Sequence, residues 1–406
     1  MSQWDYDVIV VGAGVAGAVS ALLLGQQGAR VLLLDRSTFP RHKTCGEGIM
    51  PQGVAFLSSL GLLPAMMERG ACRAAGLRFR SPAGLWAQAD FPPVRGEPQC
   101  SVVIRRYELD HLLIERARDV PTVTVREAFT VTDGLYEGGV MHGVAGHAAG
   151  QPGELASFRA PLTLAADGMH SRFHNRYGIT RRFLPRQRWG IAGHLSGVEG
   201  VGPYIEVLFQ PGSEIYLAPL ANDSTLVAIL IEKSGMAALR GSLAQAYHQF
   251  LQAVPGLGER IRHSQVLPPV GARGPLGFQV SPVHRPGLLL IGDSAGFDDP
   301  ITGEGMTLAL KCVQAALPII RRGLDTGEFG DDLLRHYAVE RARIIHDVSS
   351  LTRLMLSVSR SPLLTDRAVK RLSHDRALFE KLLGIVTGTS RYRDFSLKDR
   401  LALALG

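Results

Sequence analysis

Three glycines and an acid, Gly12, Gly14, Gly17 and Asp35, have the spacing needed to hold a dinucleotide. They lie in YDVIVVGAGVAGAVSALLLGQQGARVLLLD, residues 6–35. Gly12 allows a tight turn after an apolar run, and Gly14 lets a pyrophosphate approach the backbone. Gly17 lets the following helix pack closely on the strand. Ala16 belongs to the same turn. The helix start presents unpaired N–H groups and the positive end of its dipole to phosphate. Asp35, followed by Arg36, comes roughly 20 residues on, where a carboxylate accepts from ribose hydroxyls. Strand, turn, helix, strand and acid occur in order, which a chance Gly-rich turn does not supply.

A second segment, LLLIGDSAGFDDPITGEGMTLALK at residues 288–311, has a related form. An apolar run ends in Gly292 and Asp293, and a Gly/Pro-rich loop then leads into a helix. Asp293 is placed to accept from the sugar-alcohol hydroxyls of a cofactor lying across the strand ends. Gly303 and Gly305 let loop N–H groups come close to that cofactor, with Pro300 and Met306 at either side. A third turn, Asp167–Gly168, closes another apolar run, Leu162–Ala166.

Those turns need a frame. The N-terminal pattern predicts β (6–11), α (14–27) and β (30–35), then a loop to about Gly53 and a short helix ending near Leu62. Two strand-like runs fall around 76–90. Arg106 opens a helical stretch, YELDHLLIERA, with apolar residues at i, i+3 and i+4. Several strands follow between Thr122 and Ala166. Alternating runs at 188–195, 204–209, 214–219 and 225–231, with one helix near 241–253, predict an antiparallel sheet. A buried-strand pattern returns at Gly287–Ile291, a long helix runs from about Gly305 to Arg322, and 331–406 is mostly amphipathic helix. The expected architecture is α/β. A Rossmann-like dinucleotide domain comprises 1–75, 100–183 and 272–330. An inserted antiparallel β-sheet substrate domain comprises 76–99 and 184–271, and 331–406 is a C-terminal helical segment. A largely apolar pocket under the sheet, near Leu208, Phe209, Tyr216, Leu217 and Pro219, suits a hydrophobic small molecule.

Composition narrows the classes. The 406 residues are 46% hydrophobic and 20% charged, which is globular rather than disordered. The four cysteines (Cys45, Cys72, Cys100, Cys312) form no C-x-x-C pair, against a disulfide framework and in keeping with a reducing cytoplasm. Trp4, Asp5 and Asp7 lead straight into the first strand with no leader pattern. His111, His170, His174, His194 and His336 show no ligand spacing, so no metal is expected. The net charge of +7 is scattered, without an aromatic-interleaved basic stripe, which argues against a nucleic-acid partner. Arg353, Arg360, Arg367, Lys370 and Arg371 alternate with Leu-rich segments. They form either a solvated helix face or a peripheral attachment to an anionic membrane carrying a lipophilic substrate, such as the inner membrane face.

The combination of Gly12/Gly14/Gly17/Asp35, Asp167–Gly168 and Gly292–Asp293 resembles the para-hydroxybenzoate-hydroxylase-like FAD enzymes. The resemblance covers essentially the whole chain and is strongest at 6–50, 105–112, 163–172 and 287–312. Lys43-Thr44-Cys45-Gly46-Glu47-Gly48 and Pro300-Ile301-Thr302-Gly303-Glu304-Gly305 are similar to the geranylgeranyl-reductase-like branch, which also holds oxygenases and relatives of flavin halogenases. The resemblance implies non-covalent FAD. Asp35 would take the adenosine ribose, Arg106 in R-x-x-L-D would contact the cofactor, and Asp293 would hold the ribityl chain. Asp167, Gly168, Cys45 and Gly46 would adjoin it. The loop 300–305 would lie at the isoalloxazine, whose N1–C2=O edge gains negative charge on reduction and is stabilised by a helix start.

Three departures stand out. His174 replaces the last Arg of the superfamily's D-G-x-x-S-x-x-R, which otherwise has Asp167, Gly168 and Ser171, with Arg172 nearby. The reductases' Y-x-W-x-F-P is reduced to Tyr216-Leu217-Ala218-Pro219, and the halogenase W-x-W-x-I-P is absent. Cys45 either contacts substrate or donates a proton during alkene reduction, or is a small buried apolar residue. Glu47 and Glu304 are either acid/base groups or acceptors that stabilise their loops.

The resemblance thus implies an FAD-dependent oxidoreductase acting on a small lipophilic molecule. The leading expectation is NAD(P)H-driven monooxygenation, the hydroxylation or epoxidation of a phenolic, polyketide or isoprenoid lipid through a flavin hydroperoxide in a dry pocket. The alternative is reduction of isoprenoid C=C bonds, with Cys45 or a carboxyl completing proton transfer. A halogenase or a non-catalytic flavoprotein stands further off. A single G-x-G-x-x-G leaves no separate nicotinamide domain, so electrons come from NAD(P)H docking transiently or from a partner reductase.

Overall fold

The computed structural model describes residues 4–151, 153–236 and 241–405. Its first layer is a six-stranded sheet in the spatial order His284–Arg285, Leu288–Leu290, Leu162–Ala165, Val8–Val11, Val31–Leu34 and Val123–Arg126. All neighbours run parallel except the edge hairpin of His284–Arg285 with Leu288–Leu290. Parallel strands are covered on both faces, which is why Val8–Val11 and Val31–Leu34 are unbroken apolar runs and fully buried. The helix Val15–Gln26 is rich in Ala, Leu and Gly and buried nearly all round. It packs against both Arg106–Arg118 and Gly305–Thr326. An antiparallel meander, Phe129–Glu137, Val140–Ala148 and Ala156–Arg159, flanks this layer.

The second layer is an eight-stranded sheet. Its order is Gly296–Phe297, Gln265–Ser281, Thr180–Ser196, Ser224–Glu232, Ser213–Leu220, Tyr204–Gln210, Gly76–Arg80 and Trp86–Asp90. It is antiparallel except for one pair, Tyr204–Gln210 beside Gly76–Arg80, which run parallel because the second arrives from far upstream in the chain. Thr180–Ser196 and Gln265–Ser281 are each 17 residues long, so the expected boundaries at 184 and 271 fall inside strands. Arginines and prolines interrupt the apolar alternation at their outer ends, which hid that length from a reading of periodicity.

Both faces of this sheet are covered. On one, Leu208, Ile215 and Leu217 pack with Tyr247 and Leu251 of the helix Leu243–Gln252. On the other, Phe79, Ile205, Val207 and Ala218 meet Leu351, Phe379 and Leu383. The last three lie on the C-terminal helices Asp331–Val358 and Arg376–Thr387. Among the described residues no helix is long and apolar enough to cross a membrane.

Candidate active site

The turn after the first strand is packed to contact. Gly12 has φ +100°, and a Cβ there would lie 2.5 Å from the Ala166 carbonyl oxygen. A Cβ on Gly17 would lie 1.8 Å from the Gly12 carbonyl oxygen. Ala16 sits beside Gly292, where an added Cβ would come within 3.0 Å of its methyl, so the two Gly-rich segments touch. Asp35 is fixed at the end of the second strand, accepting from Ala13 N at 2.7 Å and Ser37 N at 2.8 Å.

Gly14, the residue capping the helix Val15–Gln26, differs from its neighbours. A Cβ there would meet no backbone but three cations, Arg106 Nη2 at 3.7 Å, Lys43 Nζ at 3.8 Å and Arg41 Nη2 at 3.9 Å. Arg106 is buried and grips Asp110 through two bonds of 2.7 and 2.6 Å, and Arg41 Nη1 lies 3.1 Å from the same acid. Arg106 holds the Lys43 ammonium below its usual pKa, and burial adds to that effect. Burial also works against the Arg106 charge, but Asp110 and Cys45 together outweigh it and keep Arg106 firmly ionised. Like charges gathered at a helix start are relieved by an anion between them, and the room at Gly14 suits a pyrophosphate.

The second strand end comes alongside. His174, standing where the superfamily has arginine, places Nε2 2.6 Å from the Ser294 carbonyl oxygen and so ties the 167–174 turn to the 292–295 turn. Burial lowers its pKa, in keeping with a neutral ring. Asp167 accepts from Arg172 N at 2.8 Å through Oδ2, while Oδ1 is buried with no partner. Burial pushes this carboxyl up to about 6. A hydroxyl donor from a cofactor chain would satisfy that oxygen.

From there a cavity of about 710 Å³ extends beneath the large sheet. Arg36, Gly168, Gly292 and Asp293 line its cofactor end. Cys45 and Gly46 on one loop, with Pro300, Gly303, Gly305 and Met306 on the other, line its middle. The two acids of these loops have opposite surroundings. Glu47, at φ +54°, accepts from Arg106 N at 3.0 Å and lies 2.8 Å from His194 Nε2, so both of its oxygens are engaged. Glu304 is 3% exposed and its Oε1 has no partner. Burial pushes it up to about 8, against the pull of Lys311. Cys45 lines the cavity, and its Sγ accepts from Glu47 N at 3.4 Å.

The apolar end corrects the sequence reading. Tyr216 is in the wall, its hydroxyl donating to the Ile301 carbonyl oxygen at 3.0 Å. Leu208 and Leu217 point to the opposite face, against Tyr247, and Pro219 is outside the wall. Strand alternation puts Tyr216 and Ala218 on one face and Leu217 and Pro219 on the other. Both faces are apolar, so periodicity alone could not choose between them. Ile205, Val207 and Ala218 take their place, opposed by Leu351, Met355, Leu382 and Val386 from the C-terminal helices.

Sequence reasoning missed Arg188, Glu214 and Asp299. Arg188 is 1% exposed, pairs with Asp299 through Nε at 2.9 Å and Nη2, and meets Glu214 through Nη1. The available signal was a charged residue inside each of two apolar strand runs, because buried charges require partners.

A cation-lined helix start joined to two further strand ends describes a dinucleotide flavoprotein. The chain belongs to the FAD binding domain family, whose model matches residues 5–352, and it is an FAD-dependent oxidoreductase. It is 28% identical over 394 residues to 6-methylpretetramide 4-monooxygenase of Streptomyces rimosus, covering 95% of this chain and 90% of that one. It is 27% identical over 347 residues to digeranylgeranylglycerophospholipid reductase 2 of Methanothermobacter thermautotrophicus, covering 82% of each. In fold it matches the flavin-dependent brominase Bmp2 with a TM-score of 0.81 at 19% identity, covering 98% of this chain and 96% of that one. The resemblance to para-hydroxybenzoate-hydroxylase-like enzymes is thereby borne out.

Two outcomes follow from this geometry. Gly14→Ala should fold normally but bind FAD roughly tenfold or more weakly, a loss of about 1.4 kcal/mol, whereas Gly17→Ala should yield little folded protein. Fluorescence titration with FAD and thermal melts would check both, and a Gly14→Ala protein with unchanged affinity would count against the cradle. Glu304 keeps its proton in the folded chain up to about 8 but loses it in the unfolded chain in the ordinary carboxylate range. Its contribution to stability should therefore decline as pH rises between those values. Denaturant unfolding at pH 5 and pH 9 should show a larger decline in the wild type than in Glu304→Gln, which keeps only the smaller decline that the raised Asp167 carboxyl causes in both.

Proposed function

We propose that this protein is an NAD(P)H-dependent FAD monooxygenase that hydroxylates or epoxidises a lipophilic phenolic, polyketide or isoprenoid molecule. The observation that carries the reading is the cavity, whose walls are mostly apolar and which runs directly from the Pro300–Gly305 loop to the C-terminal helices. Bound FAD supplies the two electrons with which dioxygen gives one oxygen atom to substrate and one to water. Ile205, Val207, Leu351 and Leu382 keep bulk water from the reacting centre. Glu304, protonated near neutral pH, holds a proton at its carboxyl where oxygen is being reduced. Tyr216 spends its hydroxyl on Ile301 and so serves to hold the loop. The nearly full-length likeness to 6-methylpretetramide 4-monooxygenase supports this assignment.

Electrons are assigned to a nicotinamide dinucleotide rather than to a partner reductase. Arg36, His170 and Arg273 are exposed at the cavity's edge, and neither arginine has a carboxylate partner among the described residues. The His170 ring feels both guanidinium groups, which reinforce burial in lowering its pKa. Such a basic rim suits a diphosphate. A second reading, reduction of an isoprenoid C=C bond, is favoured by Cys45 in the cavity wall and by the likeness to the Methanothermobacter reductase.

Anaerobically photoreduced protein mixed with ¹⁸O₂ and a panel of lipophilic phenols, polyketides and polyprenyl compounds separates the two. Monooxygenation predicts one ¹⁸O atom per product molecule and no turnover without oxygen. Anaerobic reoxidation of the flavin by a polyprenyl compound would overturn it in favour of reduction. Arg273→Ala should raise the KM for NAD(P)H about fivefold, near 1 kcal/mol, while photoreduced enzyme turns over at the wild-type rate. Stopped-flow reduction would expose an unchanged KM.

A further inference from the structure

We propose that Arg188 is a positioning residue, clamping the flavin-facing loop Pro300–Gly305 to the substrate sheet and so fixing the spacing between the two halves of the cavity. The proposal rests on the assignment of that loop to the flavin ring, and it holds whichever of the two reactions takes place there.

Arg188 lies on the strand Thr180–Ser196, where the pairing with Gln265–Ser281 shifts register on both sides of it. Its guanidinium is almost wholly enclosed. One edge of the planar fork, Nε and Nη2, grips both oxygens of Asp299, and Nη1 reaches Glu214 on the strand Ser213–Leu220. Asp299 immediately precedes the loop, and its Oδ1 also accepts from Ile301 N at 2.9 Å. Tyr216, two residues along from Glu214, donates to the carbonyl oxygen of the same Ile301 at 3.0 Å. One loop residue is therefore held at its N–H through Asp299 and at its C=O through Tyr216, and both holders trace back to the sheet.

Asp299 and Tyr216 line the cavity, while Arg188 and Glu214 stand behind its wall. Arg188 thus acts through Asp299 rather than on a reacting atom. Stability alone is a poor reason for such a group. Burying one guanidinium with two carboxylates carries a desolvation cost that apolar residues of similar volume would avoid. Burial accordingly holds Glu214 above its usual pKa even with Arg188 pulling it down. What the cluster supplies is direction, since a two-bond fork fixes the orientation of a carboxylate in a way that a point charge cannot.

The test compares Arg188→Lys with the uncharged triple variant Arg188→Met/Glu214→Gln/Asp299→Asn, both loaded with FAD. The triple variant leaves no unpaired buried charge, and the side-chain amide introduced by Asp299→Asn can still accept from Ile301 N, so it should melt near wild type. Hydrogen exchange over residues 299–306 should become at least tenfold faster in the triple variant and change less in Arg188→Lys. Exchange in the six-stranded sheet should stay unchanged. The visible circular dichroism of the bound flavin should alter in the same order. Wild-type exchange across the loop together with wild-type dichroism in the folded triple variant would overturn the proposal, as would acceleration spread evenly over the molecule. If only Arg188→Lys folds, the same two measurements on it decide the question.

Discussion

Gly17 packs so closely on the turn at Gly12 that one methyl group would stand 1.8 Å from a carbonyl oxygen. The same crowding recurs where Ala16 meets Gly292, so the first helix, the first strand and the strand Leu288–Leu290 converge at one place. Bare backbone at these contacts lets the ends of three parallel strands come together. Everything the site does depends on that closeness. The cations at Gly14, the carboxyl of Asp167 and the turn carrying Asp293 lie far apart in the sequence, yet they adjoin because nothing bulkier than hydrogen or methyl intervenes.

Charge is distributed unevenly along the resulting site. At Gly14 the charged ends of Arg41, Lys43 and Arg106 converge on the helix start, so the nearest groups there are all cationic. Further along, burial favours the neutral forms of Asp167 at the next strand end and of Glu304 in the loop 300–305. A cofactor with an anionic middle and an uncharged, hydrogen-bonding ring matches both halves. Glu47 and Glu304 show how local context divides similar residues. Each stands between two glycines, but Glu47 is bound to Arg106 N and His194, whereas Glu304 has a buried oxygen with nothing to bond. The first is tied by both oxygens, whereas the second keeps an oxygen that no group of the protein engages.

The legible parts of this site are the ones whose demands are local. A left-handed or crowded glycine, an acid at a strand end and a proline-glycine loop all state their requirements within a few residues, so 6–35 and 288–311 could be read from sequence. Alternation revealed the strands 204–210 and 213–220 but not which face is inward, because helices cover both sides, and Leu208, Leu217 and Pro219 were misassigned for that reason. For the Arg188 cluster, charges in two apolar runs signalled that partners were needed but not which ones. Its partners lie 26 and 111 residues away, and no local pattern announces pairing at that range. The helical wall formed by Leu351 and Leu382 likewise depends on how the C-terminal segment folds back.

Polar links that cross between the cofactor-side loops and the large sheet beside the cavity include Glu47 to His194, Tyr216 to Ile301, and Arg188 to Asp299. The apolar contacts between these parts are non-directional and would tolerate small sliding. Hydrogen bonds of about 2.8 to 3.0 Å tolerate much less. The cavity walls are therefore joined by directional bonds beside the loops of Cys45 and Glu304, and by packing where Met355, Leu382 and Val386 line the other end. Directional bonds, rather than apolar packing alone, are what fix the loops of this oxidoreductase centre against the sheet.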